Sequence, residues 1–276
     1  MMDTFKDNIM SNDKNRSKGQ RFEKFVDIHC HCLAGLDDGP SNISESVVLC
    51  KMLADENIAV VVATPHQLGR FEGLNEAQNV RDAVIELNQI LRDQNVPLKV
   101  VPGGEVRVDE RICQLLETDK ILTLADSGRY ILLELPHQVF IDIEPMLQEL
   151  TSIGVKPIIS HAERITALAK EPNILSRWFE HSISLQITAS SLLGGFGVEA
   201  ERAAWNLLSS GWARLVATDS HNVNSRRPEM RAAYELITTK LGKDHANQAC
   251  IYNPLRVIKA MDILTGPIFE KQEVKL

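Results

Sequence analysis

After residue 24 the chain alternates seven short apolar runs with stretches of helical spacing, and most of the runs end on a histidine or a carboxylate. Runs that are apolar on both faces suit parallel strands with helices on either side. The runs are 25–29, 58–64, 98–102, 130–135, 156–160, 183–187 and 214–218. Between them, Val80, Val84, Leu87 and Leu91 mark a helix over about 75–94. Asn42 as N-cap with Glu45 three residues on marks another over 43–56. Helices are also expected over 145–153, over 199–210 closed by Gly211, and through much of 228–261. No linker or composition shift divides 25–276, so the expected fold is one α/β domain, a closed barrel of seven (β/α) units. Side chains at the C-terminal strand ends carry the chemistry of such barrels.

The first run ends in Asp27-Ile28-His29-Cys30-His31. Alternation along a strand puts His29 and His31 on one side, where two neutral imidazoles make half of a metal's coordination shell. The same alternation turns Cys30 and Cys32 away from that side. Later strand ends supply Asp38, His66, Glu105, Glu134, His161, Asp219 and His221. Nine such groups on one barrel face are costly to bury unless cations compensate them, and hard oxygen with imidazole suits manganese, zinc or iron. Each residue alone has a duller reading: His66 as a helix cap, Glu105 as a solvated turn residue, Glu134 as a residue on an exposed strand face, although its setting in Ile-Leu-Leu-Glu-Leu favours a ligand or a strong hydrogen-bond acceptor. Their shared placement favours ligation. Asp37 reads as a turn-former, His181 and His245 as surface residues, and His137 stays open. Arg164 and Arg226 follow His161 and His221 closely. A guanidinium fork beside such a site suits a phosphate, whereas the duller reading is a helix-end or surface charge, with Arg227 competing for the role of Arg226.

Composition excludes some alternatives. A net charge of −7 and the absence of a basic stripe argue against a nucleic-acid binder. No apolar run is long enough for a membrane span, and no signal peptide is present. Residues 1–24 are polar and mixed in charge, as in a disordered arm. The five cysteines lack zinc-finger spacing and read as packing residues of a reduced, cytoplasmic protein. No Cys-x5-Arg loop is present, so a cysteinyl-phosphate route is not expected.

Over roughly 25–265 the chain resembles the polymerase and histidinol phosphatase (PHP) superfamily. Within it, the nearest resemblance is to the metal-dependent protein-tyrosine phosphatases of capsule and exopolysaccharide operons, the CpsB/YwqE group. Asp37-Asp38-Gly39-Pro40 and His161-Ala162-Glu163-Arg164 carry the phosphatase-branch resemblance. Asp27-x-His29-x-His31, Thr64-Pro65-His66, Gly104-Glu105, the Glu134 strand and Thr218-Asp219-Ser220-His221 follow in family order, and of these the His-x-His and Asp-Ser-His segments mark only the superfamily. The resemblance implies a distorted (β/α)7 TIM-like barrel and three divalent ions, usually manganese. By position, His29, His31, Glu105 and Asp219 would serve the first ion. Glu105, Glu134 and His161 would serve the second, and Asp38, His66 and His221 the third. Arg164 and Arg226 match the family's phosphate-binding arginines. The implied substrate is phosphotyrosine on a protein, with a bacterial tyrosine kinase as the associated partner; the oligomeric state stays open. A metal-activated hydroxide attacking phosphorus in line is the expected chemistry. The rival readings are a histidinol-phosphate or other small phosphomonoesterase, an amidohydrolase, and a non-enzymatic partner of a tyrosine kinase.

Overall fold

The computed structural model describes residues 24–265 apart from 167 and 169–171; the arm expected over 1–24 lies outside the described residues except for Lys24. Nine strand segments are present among the described residues: β1 (Phe25–Cys30), β2 (Ile58–Ala63), β3 (His66–Gln67), β4 (Lys99–Pro102), β5 (Glu105–Arg107), β6 (Tyr130–Glu134), β7 (Lys156–Ile159), β8 (Ser184–Thr188) and β9 (Ala213–Ala217). Two pairs are pieces of one stave. β2 and β3 are parted by Thr64-Pro65, and β4 and β5 by Gly103-Gly104, so seven staves remain. Each break follows a proline or adjoins one, which cannot donate to the ladder. The sheet orders are β1-β2-β4 and β3-β5-β6-β7-β8-β9, and every pairing is parallel.

Closure between the first and last staves relies on a side chain. His31 N–H donates to Ser220 O at 2.8 Å and Asp219 N–H to His29 O at 2.8 Å. Below them Asp27 replaces the backbone ladder: its Oδ1 accepts from Thr218 N–H at 3.0 Å and its Oδ2 from the Thr218 hydroxyl at 2.5 Å. Burial pushes the Asp27 carboxyl up to about 6, against the hydrogen bonds from Thr218 that favour its charge.

Alternation sorts the apolar side chains into two bodies. Val60, Val62, Leu132, Ile158, Leu215 and Ala217 fill the barrel interior, while Val61, Ala63, Leu133, Ile159, Leu185 and Val216 face the helical jacket. Leu255 and Ile258, from the helix Asn253–Ile258, pack on the inner body with Ile263. Strand β1 breaks the simple rule. Val26 and Ile28 belong to the interior, yet Cys30 and Cys32 join the jacket side, because the register slips between Asp27 and Cys30. A bulge there re-aims His29 and His31 into the mouth, a common use of bulges beside sites.

The helices largely follow the periodicity. Asn42 Oδ1 accepts from Glu45 N–H at 3.1 Å at the start of α1 (Ile43–Asp55), but Glu45 reaches back to Ser41 N–H, one residue further than a capping box. Helix α2 (Ala77–Asp93) begins two residues later than expected. Asn75 is instead buried and donates to Leu36 O and His66 O, tying two mouth loops together. The helices Ile112–Glu117 and Ala189–Leu192 carry no clear periodic signal in the sequence.

Asp27→Ala should strip Thr218 of both partners at the seam and leave a small void. The expected cost is about 2–4 kcal/mol of unfolding free energy, read by denaturant titration, with Asp27→Asn costing less because one acceptor survives.

Candidate metal centre

The residues just beyond these strands meet at the C-terminal mouth. Gly103-Gly104 places Glu105 there through close approach: a Cβ on Gly104 would stand 2.1 Å from Gln67 Oε1, and one on Gly103 2.6 Å from Val62 Cγ1. Register then sets Glu105 beside His66 on one side and Leu132 on the other. Two other residues of the mouth, His161 and Asp219, hold left-handed backbones with φ of +33° and +51°. For residues other than glycine this conformation is sparsely populated and costs about 1–3 kcal/mol, and it clusters at functional sites.

All nine expected residues converge. They form three groups, His29/His31/Asp219, Glu105/Glu134/His161 and His31/Asp38/His66/His221, the first and last sharing His31, and in each of them donor atoms lie within 4.8 Å of one another. His29 Nε2 stands 3.2 Å from His31 Nε2, 3.3 Å from Glu105 Oε2 and 3.3 Å from Asp219 Oδ1. His66 Nδ1 is 3.1 Å from Glu105 Oε2, and His161 Nε2 is 2.9 Å from Glu105 Oε1. Asp38 Oδ1 lies 3.4 Å from His66 Nε2 and 3.3 Å from His221 Nε2. Donors about 2.0–2.2 Å from one ion stand roughly 3.0–3.6 Å apart, so these spacings fit shared divalent ions. Glu105 adds a second observation: it is 1% exposed, and neither oxygen has a hydrogen bond of good geometry from a described residue.

Several partners orient the imidazoles. His29 Nδ1 faces Gln186 Oε1 at 3.0 Å, which holds its proton there and leaves the Nε2 lone pair toward the centre. Gln186 Oε1 also accepts from His161 N–H at 3.1 Å. His31 Nδ1 meets Asp37 Oδ2 at 2.5 Å, and Asp37 further accepts from Gly39 N–H and His66 N–H. Asp37 is thus more than the turn-former the sequence suggested. It fixes one imidazole and the backbone of another. Glu163, buried in the His161–Arg164 turn, accepts from Thr188 N–H at 3.0 Å and from Ser191 Oγ–H at 2.6 Å, pinning that turn to the end of β8.

Opposed charges set the protonation of the ring. Burial opposes a charged His31, but Asp37 and Glu105 hold it up to about 10; likewise Asp38 and Glu105 hold His66 up to about 9. Burial, then Arg164, pushes His161 down to about 3, and burial, then His31, pushes His221 down to about 4. Asp219 sits far below the usual carboxylate range: burial opposes its charge, while His29, Arg164 and Arg226 outweigh that.

Both arginines reach the centre. Arg164 Nη2 donates to Asp219 Oδ2 at 2.5 Å, and Arg226 Nη2 donates to the same oxygen at 2.7 Å. Arg227 points away to Glu229 and is 59% exposed, so the neighbour does not compete for the role. His137, left open by the sequence, packs its ring edge-on to His161 with centroids 5.0 Å apart. His181 is half-buried 3.8 Å from Glu144 rather than a plain surface residue, and His245 is exposed. Cys30, Cys32 and Cys50 are buried on the jacket side, away from the centre. Sequence reasoning missed Arg107, which lies 3.4 Å from Glu134, and Phe71, whose ring stacks on His66.

A parallel (β/α) barrel with imidazoles and carboxylates at ligand spacing around its C-terminal mouth defines a metal-dependent hydrolase. Within that class the chain belongs to the CpsB/CapC family of capsular polysaccharide synthesis, which residues 25–259 match. It is 32% identical over 221 residues to the tyrosine-protein phosphatase YwqE of Bacillus subtilis, covering 79% of this chain and 86% of that protein. It is 33% identical to the putative tyrosine-protein phosphatase CapC of Staphylococcus aureus, covering 73% of this chain and 78% of that protein. Among solved structures it is similar to one described with YwqE from Bacillus subtilis and CpsB from Streptococcus pneumoniae as unique metal-dependent tyrosine phosphatases. That match has a TM-score of 0.83 at 30% identity and covers 88% of this chain and 97% of that one. A prolidase with a TM-score of 0.51 at 10% identity, covering 88% of this chain and 76% of that one, shares the fold alone.

Asp37→Asn keeps the size of the side chain and removes the charge that holds His31. Metal affinity at the His31 position should weaken about 10- to 100-fold, read by competition against a chromophoric chelator, with little change in melting temperature. Ligation also requires His31 and His66 to give up protons that they hold to about 10 and about 9 in the metal-free protein. Glu105 and Asp219 also push His29 up, so metal uptake at pH 7 should release at least two protons, and apparent affinity should fall as pH is lowered from 8 to 6. Uptake without proton release in a weakly buffered titration would contradict this.

Proposed function

We propose that this chain hydrolyses phosphotyrosine on proteins as a metal-dependent phosphatase, using the nine clustered side chains as ligands. The observation that carries the reading is the pair of guanidinium groups, Arg164 and Arg226, meeting on one oxygen of Asp219 at the edge of the cluster. A positive pair at the rim of a metal-ligating pit suits a phosphoryl group, whose oxygens match the guanidinium fork.

In this reading His29, His31, Glu105 and Asp219 hold one ion, Glu105, Glu134 and His161 a second, and Asp38, His66 and His221 a third. His31 lies within reach of both the first and the third. Manganese is the expected metal, and the donor set also suits zinc or iron. Divalent ions held by these residues would supply a water activated near neutral pH and Lewis-acid contact to phosphoryl oxygens. The side chains do the rest. Asp219 holds Arg164 and Arg226 side by side, and the two forks bind the phosphoryl oxygens and stabilise the charge that builds in the transition state. Glu163 and the Gln186 amide keep the His161–Arg164 turn and the His29 imidazole in place. A phenolate leaves with a free pKa of about 10 and needs less proton help than an alkoxide, which suits phosphotyrosine.

The substrate is a tyrosine-phosphorylated protein, with a bacterial tyrosine kinase of capsule synthesis as the candidate partner and the cytoplasm as the place of action. No helix among the described residues is long and apolar enough to cross a membrane. The names of the relatives favour this reading over histidinol phosphate or amide substrates.

Manganese-loaded protein should turn over a phosphotyrosine peptide in preference to phosphoserine and histidinol phosphate, and excess chelator should abolish the activity. Better turnover of histidinol phosphate would reassign the enzyme. Arg164→Ala or Arg226→Ala should lower kcat/KM about 100-fold with metal content and melting temperature nearly intact, and Arg→Lys should restore only part. Arg227→Ala should change little. Should all three prove silent, metals alone hold the phosphate and the protein half of the argument fails.

A further inference from the structure

We infer that Phe196 is the specificity-determining wall for the aryl group of the substrate, on the reading of this site as a phosphotyrosine phosphatase. Its ring lies under the guanidinium of Arg164, with Cζ 4.5 Å from the ring centroid. Arg164 in turn grips Asp219, whose other oxygen is 3.3 Å from His29. One arginine therefore separates the ring from the phosphoryl pocket. In an aryl phosphate the aromatic carbon is one bridging oxygen from phosphorus, so its ring must leave the pocket past the side chains that line the rim. Phe196 lines that rim.

The loop that carries it is built to present a side chain rather than to bury one. Phe196 sits in Gly194-Gly195-Phe196-Gly197, is 37% exposed, and belongs to neither apolar body of the barrel. Gly194 and Gly197 have φ of +83° and +90°, and a Cβ on Gly195 would stand 2.1 Å from Ser190 Oγ. Gly195 N–H donates to Ser190 O at 2.9 Å and Gly197 N–H to Gly194 O at 3.0 Å, so the loop is tightly turned on its own backbone. Leu193 and Val198, which flank the loop in sequence, are also exposed. A phenylalanine held open to solvent by three glycines adds little to the core. Beside a phosphate-binding arginine it offers an aromatic face or edge to a second ring, an arrangement favoured at centroid separations of about 4.5–7 Å. An alkyl phosphate, such as phosphoserine, has no ring to meet it.

A ring that merely props Arg164 would have the same geometry. The two roles separate cleanly with ligands that have no leaving group. Dissociation constants of phenylphosphonate and methylphosphonate are measured by calorimetry on the metal-loaded full chain, for the wild type, Phe196→Ala and Phe196→Leu. The wild type should prefer the phenyl ligand. Phe196→Ala should cut that preference by about 10-fold, and Phe196→Leu should keep part of it, since it retains apolar area and loses the ring. An equal loss for both ligands, with the preference unchanged, would mean a prop for Arg164 and overturn the inference, as would a wild type without phenyl preference. Failure of wild-type protein to turn over any phosphotyrosine peptide would instead strike the underlying reading, and the phosphonate comparison is read independently of it. The melting temperature of Phe196→Ala should stay near that of the wild type, because the ring lies outside the core.

Discussion

Glu105 is the group on which the mouth of the barrel depends. Its two oxygens lie 2.9–3.4 Å from His29, His31, His66 and His161, in a place with almost no water. An ionised carboxylate cannot be buried there without compensation, and four imidazoles crowded around one carboxylate cannot all be protonated either. The protein splits the four imidazoles: His31 and His66 are held charged and His29 is pushed the same way by Glu105 and Asp219, while burial and Arg164 keep His161 neutral. Divalent ions would resolve the conflict better, since every imidazole would then be neutral and every carboxylate charged. Buried, strained and unevenly protonated, the centre makes sense as a place shaped for cations.

That demand reaches into the frame of the barrel. The bulge in β1, the breaks at Thr64-Pro65 and Gly103-Gly104, and the left-handed backbones at His161 and Asp219 all fall at the mouth. Each departs from regular strand geometry to aim a side chain that a regular strand would turn elsewhere. The cost is covered by the inner and outer apolar bodies, which run unbroken below. At the seam, where β1 and β9 could not close by backbone ladder alone, Asp27 supplies the missing acceptors through Thr218. The motif Asp27-x-His29-x-His31 therefore divides its labour: the aspartate closes the barrel and the histidines face the centre.

Around the donor cluster the structure builds a second ring that tunes it. Asp37 and Gln186 set imidazole orientation, Glu163 pins a turn, and Asp219 faces the cluster with one oxygen and two guanidinium groups with the other. The last arrangement joins the two arginines to the donor cluster through a single carboxylate. Asp219 thereby places the two guanidinium groups directly against the donor cluster.

The sequence alone determined the seven-stave barrel and its nine clustered side chains. Strand-end histidines and carboxylates stand out because apolar runs and helical spacing already locate the C-terminal mouth. Arg164 was legible for the same reason, being three residues past His161. The division of Arg226 from Arg227 was left to tertiary structure, since only the turn after His221 decides which of two adjacent guanidinium groups faces inward. Asp37, Gln186, Arg107 and Phe196 were equally hidden. Each matters through a partner 6 to 157 residues away or through a loop trajectory set by glycines, and neither is a periodic property of the chain. Periodicity reports which face a side chain shares with its neighbours along one strand or helix. Which side chain it meets across the barrel depends on register, bulges and closure, and those are fixed only when all seven staves pack together.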